Sequence, residues 1–300
     1  PECRLPNLFR FLDMPLAAIL GLGAGLCYAL SHFLVRLGLG RSNPSSAVAV
    51  NVVVNALGLW VLAFLFSPIR PLASLAAWPF ILAGLFAPSL ARMLLYGGIA
   101  RMGLARSAAL LGAMPLFAVS IAVIFLGERP SPGIITGAVA VVLGVAALNA
   151  SRISGDRWAK WTILLPLGAA LCFALRDILS KAGLQDIPFP LAGAALVATT
   201  SMLALYLSFW VSKNREKILL PWKSFWLFIG AGLLVCVSYV LLFVALNQDM
   251  VSLVSPLVAT NPLFAVILSR LFLQTEEKVS LKVVVGGVLV VAGAFSISLG

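Results

Sequence analysis

The side chains that could do chemistry here stand inside stretches that are otherwise apolar: His32, Arg36, Arg92, Arg176, Asp177 and Lys181. A charge at the centre of a bilayer costs about 2.5–3.5 kcal/mol even on lenient insertion scales, so each needs a partner or a task. Asp177 and Lys181 are one helical turn apart, and one reading has them neutralise each other, with Arg36 and Lys181 snorkelling to the interface on their apolar stems. Another gives His32 or Asp177 a proton to take up and release, as buried acids and imidazoles do. The guanidinium forks of Arg92 and Arg176 fit a carboxylate or a phosphate.

Tyr96 follows Arg92 by one turn, so the two share a helix face. Together with Tyr239 and Phe243 they form a candidate cradle, in which the guanidinium grips an anion and the rings supply stacking. The alternative is an arginine bonded to backbone carbonyls near Pro88. Asn51 and Asn55, one turn apart, answer Thr199, Thr200 and Ser201 further along the chain; they are candidates either for the same site or for bonds between helices. Pro115, Pro256 and Pro262 free backbone carbonyls inside apolar stretches and are candidate bending points for gating.

What must position these residues follows from composition. Of 300 residues, 62% are apolar and 10% charged, and the mean hydropathy is +1.09, whereas soluble domains run near 45–50% and about 25%. Soluble and disordered folds are excluded. Runs of spanning length fall near 15–38, 45–67, 78–100, 105–126, 133–150, 162–184, 189–211, 224–247, 251–273 and 281–299, separated by short turns rich in Pro, Ser and Asn. The sequence therefore predicts an all-α polytopic membrane protein of ten transmembrane helices. The net charge of +11 is scattered singly through loops and helix ends, the pattern that orients a chain in a bilayer and no sign of nucleic-acid binding. Cys3, Cys27, Cys172 and Cys236 are isolated, which argues against a disulfide framework, and a single histidine, His32, excludes metal motifs that need two. The stretch from Pro1 to Met14 runs into an apolar segment too long for a signal core, so the first helix is expected to be its own insertion signal.

The chain also repeats itself. Leu22–Leu39 aligns without gaps on Leu167–Leu184 with ten identities in 18 positions, and Pro115-Leu-Phe-Ala-Val119 recurs as Pro262-Leu-Phe-Ala-Val266. The first of these matches sets His32 against Asp177 and Arg36 against Lys181, and the offset of the second sets Arg92 against Tyr239 and Tyr96 against Phe243. Residues 15–150 and 162–299 are then two homologous five-helix units joined by a loop over 151–161. Five is odd, so the second unit enters the membrane from the opposite side and the repeat is inverted. Inverted repeats characterise secondary transporters, whose two halves exchange shapes around a site near the midplane. Arg36, Arg92, Arg176 and Lys181 against Asp177 leave an excess of positive charge, which favours an anionic or zwitterionic solute.

This pattern resembles the EamA-type branch of the drug/metabolite transporter superfamily. The likeness covers 15–299. It rests on the duplicated units, the proline-centred fourth span ending in Gly127-Glu128-Arg129-Pro130-Ser131, and its partner ending in Glu276-Glu277-Lys278-Val279-Ser280. It implies a carrier that exports amino acids or other small metabolites by alternating access, without a cofactor. A lipid-linked metabolite flippase or a multidrug exporter of the same fold is the alternative. An intramembrane enzyme is disfavoured, since no nucleophile elbow or paired aspartates occur, and no phosphate-binding loop supports an ATP-driven pump. Both termini fall on one side of the cell (inner) membrane. Twelve basic residues in the odd-numbered loops against five in the N-terminus and even-numbered loops place the termini outside, whereas the resemblance implies the cytoplasm.

Overall fold

Inside a bilayer the backbone finds no water, and a helix satisfies its own N–H and C=O groups. In this computed structural model every regular element among the described residues is helical. The structure describes residues 16–150, 160–211 and 218–272, with 285, 286, 288–290, 292, 293, 296 and 297. Cys3, Pro1 to Met14, most of the 151–161 loop, Glu276 and Glu277 lie outside the described residues.

The first half contains α1 (Leu16–Gly38), α2 (Pro44–Phe66), α3 (Trp78–Phe86), α4 (Ser89–Met102), α5 (Leu104–Leu111), α6 (Met114–Ile121), which widens into a π turn over Ala122–Leu126, and α7 (Pro132–Ala150). The second contains α8 (Leu164–Asp186), α9 (Pro190–Val211), α10 (Trp222–Gln248), α11 (Val251–Val258) and α12 (Asn261–Phe272), and the described residues between 285 and 297 are helical. Among the described residues six segments are long and apolar enough to cross a membrane, and Met114–Leu126, Pro132–Gly144 and Val251–Ala265 are shorter apolar helices. The outward faces carry exposed apolar side chains such as Leu57, Phe64, Leu203 and Leu207, while the deep charges point inward.

Three expected spans are interrupted. The break between α3 and α4 falls at Pro88. The other two have a common cause: a proline ring clashes with the carbonyl four residues back. Four residues before Pro115 is Leu111, where α5 ends, and four before Pro262 is Val258, where α11 ends. Pro115 and Pro262 therefore stand in the first turns of new helices, α6 and α12, and not at bends within continuous ones. Pro256 is inside α11, as expected.

Packing between the halves repeats when the halves are exchanged. α1 lies on α10 and α8 on α3 and α4; α2 lies on α9 and α6 on α11. Phe228 covers Gly38, and Phe80 covers its repeat counterpart Gly183. A methyl on Gly23 would meet Leu241 Cδ1 at 3.3 Å, and one on the matching Gly168 would meet Leu94 Cδ1 at 3.2 Å. The small face of α1 serves close packing as expected, since a Cβ on Gly25 would approach Val258 O at 2.9 Å. Gly137 faces Gly293 and Gly144 faces Gly286, so α7 and the C-terminal helical segment run antiparallel with their backbones in contact. Thr199 and Ser201 do bond between helices: Trp60 Nε1 donates to Thr199 Oγ1 at 2.6 Å, and Ser201 Oγ accepts from Ser89 N at 2.6 Å. Cys27, Cys172 and Cys236 are unbridged.

Gly144→Leu puts a side chain where Gly286 O already stands 2.7 Å from an added Cβ, and overpacking of this kind costs about 1–3 kcal/mol. The thermal midpoint of the purified protein falls in that variant. It stays unchanged in Gly40→Ala, where the nearest atom is 3.6 Å away.

Candidate functional site

The deep charges meet where α1, α2, α4, α8, α10 and α11 converge. Arg176 and Asp177 are sequence neighbours on α8, both within 1% of full burial. The arginine folds back along its helix so that Nε donates to Asp177 Oδ1 at 2.8 Å, and Nη2 donates to the same oxygen. Its Nη1 donates to the hydroxyls of Tyr28 at 3.2 Å and Tyr239 at 3.3 Å. The rings of Phe173 and Tyr239 lie 5.0 and 5.2 Å from its guanidinium carbon, within cation–π range. The other carboxylate oxygen of Asp177 accepts from Ser255 Oγ on α11 at 2.7 Å.

Arg92 on α4 is as deeply buried but differently held. Its Nη1 donates to Asn51 Oδ1 on α2 at 2.7 Å, and its guanidinium lies 5.7 Å from the Tyr239 ring. The side chain bonds Asn51 and not carbonyls near Pro88. Tyr239 therefore stands between the two arginines. His32 completes the ring system, stacked on Tyr28 at 6.2 Å between centroids and edge-on to Tyr96 at 6.3 Å, while Phe243 stacks on Tyr239 at 5.7 Å. A cavity between the halves is lined by Tyr28 and His32 from the first and by Phe173, Arg176, Val258 and Asn261 from the second.

Of the candidates, Arg92, Tyr96, Tyr239, Phe243, Asn51, Arg176, His32 and Asp177 thus come together in one cluster. Asn55, on α2 one turn beyond Asn51, is fully buried and finds no protein partner for either amide atom. The pairing of Asp177 with Lys181 does not occur. Arg176 reaches the carboxylate first, and Lys181 Nζ instead donates to Leu246 O and Asp249 O, both at 2.8 Å, at the end of α10. Arg36 is half-buried near the end of α1. Pro115, Pro256 and Pro262 mark helix breaks around the cluster, and Pro256 adjoins Ser255. No group of three or more His, Cys, Asp or Glu side chains among the described residues could hold a metal ion.

Sequence reasoning passed over Tyr28, Phe173, Ser255 and Asn261. The repeat carried a signal for the first two, since Tyr28 and Phe173 are counterparts one turn before the polar pairs. It also left Glu128 without a role. In the structure Glu128 Oε1 accepts from Val251 N at 2.8 Å, and Oε2 accepts from Ser252 N at 2.9 Å and from Ser252 Oγ. The acid that ends the first half's fourth span therefore caps α11 of the second half, where free N–H groups favour a negative charge.

A model of the EamA-like transporter family matches residues 15–150 and again 160–299. The chain belongs to that family. Its charged cluster accordingly sits inside an EamA-like, multi-pass membrane protein built from two repeats of one unit. A solved structure titled "Crystal structure of protein" superposes with a TM-score of 0.75 at 17% identity, over 94% of this chain and 96% of that one, a likeness of fold. No curated protein matches the chain.

Removing Glu128 strips α11 of three hydrogen bonds to a carboxylate, and a hydrogen bond to a charged group is worth about 1.5–3 kcal/mol net of exchange with water. Glu128→Ala lowers the thermal midpoint of the EamA-like protein by several degrees in a melting experiment, and Glu128→Gln, which keeps one acceptor oxygen, lowers it less.

Proposed function

We propose that this EamA-like protein is a secondary transporter of small anionic or zwitterionic metabolites, amino acids or organic anions among them, working by alternating access. In this reading ten spans form two inverted five-helix units, with both termini on the same side of the membrane. The antiparallel contact of Gly137 and Gly144 with Gly293 and Gly286 supports the inversion, because equivalent helices of units flipped in the membrane must run in opposite directions. The family's transporter character supports the class of activity.

The observation that carries the proposal is the cation-rich cluster itself. Two buried guanidiniums and one carboxylate are gathered among aromatic rings from both halves, and Arg176 lines a shared cavity. Such an arrangement is costly as mere packing and suits recognition of an anionic head group. Arg92, Arg176, Asn51 and Asn55 supply donors, while Tyr96, Tyr239 and Phe243 supply rings. The helix breaks at Pro115 and Pro262, with Pro256 inside α11, give short segments that can tilt without unwinding a whole span.

Asp177 is the first candidate for proton coupling, and His32 the second. The groups that face the carboxylate are Arg176 on its own helix and Ser255 on α11; Tyr28 and Tyr239 reach it through Arg176, and His32 and Arg92 border the same cluster. Protonation of Asp177 removes the counter-charge of Arg176, so solute release or uptake is tied to that proton.

Uptake into proteoliposomes, measured over a panel of amino acids, organic anions and cationic dyes with and without a pH gradient, tests the reading. Carriage of acids or amino acids is the expected result. Asp177→Asn abolishes flux or frees it from the gradient, whereas unchanged flux with unchanged pH dependence removes the proton role.

A further inference from the structure

We infer that Arg92, with the side-chain amides of Asn51 and Asn55, is the anion-binding element of this site, and that it takes a singly charged carboxylate carrying a hydrogen-bond donor beside the carboxyl group. This rests on the transport reading above and narrows it to one guanidinium and one charge.

The two buried arginines are equally hidden from solvent, at 1% exposure each, and unequally satisfied. Arg176 spends Nε and Nη2 on Asp177 and Nη1 on two tyrosine hydroxyls, with aromatic rings against its faces. Its charge is answered within the protein. Arg92 has the Asn51 carbonyl oxygen as acceptor for Nη1, and its Nη2 has no partner. Its partner Asn51 has an unpartnered amide nitrogen, as does Asn55 one turn further along the same face of α2. Asn55 Oδ1 adds an unpartnered acceptor. All three side chains are at least nine-tenths buried. Buried polar atoms left in this condition are costly, and a bound polar group would satisfy those of Arg92, Asn51 and Asn55.

Charge fixes the valence. Among the described residues the buried arginine and carboxylate side chains are Arg92, Arg176 and Asp177, which leaves an excess of one formal positive charge. A monoanion cancels it, a dicarboxylate overshoots it, and a zwitterion leaves it standing. One carboxylate oxygen takes Arg92 Nη2 and the other takes the amide nitrogens of α2. A hydroxyl on the neighbouring carbon of the solute donates to Asn55 Oδ1. A 2-hydroxy monocarboxylate meets every one of these requirements.

The test uses the full-length protein in proteoliposomes and in detergent, with lactate, propionate, alanine, malate and choline as probes. Lactate is carried in preference to the others and raises the thermal midpoint most. Arg92→Gln raises the KM for lactate by about 10–100-fold, the factor expected for a charge-assisted hydrogen bond, and Arg92→Lys restores part of it. Asn55→Asp places a carboxyl group one turn along α2 from Asn51, the residue that Arg92 bonds. It raises the midpoint of the ligand-free protein and abolishes stabilisation by lactate, an effect that does not depend on transport and that amides bonded only to water would reverse. Choline carried while no acid is carried overturns the transport reading's solute class. Acids carried with malate or alanine preferred, KM unchanged in both Arg92 variants, or a lower midpoint in Asn55→Asp overturns this inference alone.

Discussion

An arginine inside a protein keeps its charge whatever surrounds it, and a charge in a low-dielectric interior must be met by opposite charge and hydrogen bonds. Arg176 imposes that condition on the centre of this molecule. Meeting it recruits Asp177 from its own helix, Tyr28 from α1, Tyr239 from α10 and, through the carboxylate, Ser255 from α11. Helices from both halves are thus committed to one polar knot in a bundle whose remaining contacts are mostly apolar and small. Lipid offers no hydrophobic drive for helices to associate. Close glycine contacts supply the fit, and the knot supplies the specificity.

Symmetry in the packing contrasts with asymmetry in the chemistry. Phe80 on Gly183 repeats as Phe228 on Gly38, and α7 meets the C-terminal segment glycine to glycine. At the centre, Ser31 and His32 stand where the other unit has Arg176 and Asp177, and Arg92 stands where it has Tyr239. Duplicated helices keep their spacing because small and large residues are paired at matching depths. The polar cluster has no such need to match its copy, because it is a single object assembled from both.

Much of this was legible in the residues. Apolar run length located the helices, and the identities between Leu22–Leu39 and Leu167–Leu184 gave the duplication that the family match covers. The repeat also set Arg92 and Tyr96 at depths equivalent to Tyr239 and Phe243. The helix breaks were half legible: the prolines were plain, but the expected bend at Pro115 ignored the carbonyl at Leu111, which ends the helix before the proline. Of the two readings of Asp177, the pairing with Lys181 rested on helix neighbours pointing about 100° apart, which makes residues four apart the natural pair. A long side chain lying along its own helix defeats that rule. The Glu128 cap joins residues more than a hundred positions apart, and no local pattern announces it.

α11 is eight residues long and carries two serines three positions apart. Ser252 is tied to Glu128 at the edge of the bundle and Ser255 to Asp177 at its core. So short a helix has little room to flex between two anchors. It behaves as a strut, and a tilt that parts one serine from its acid loads the other. Edge and core are mechanically geared to each other through less than three turns of backbone.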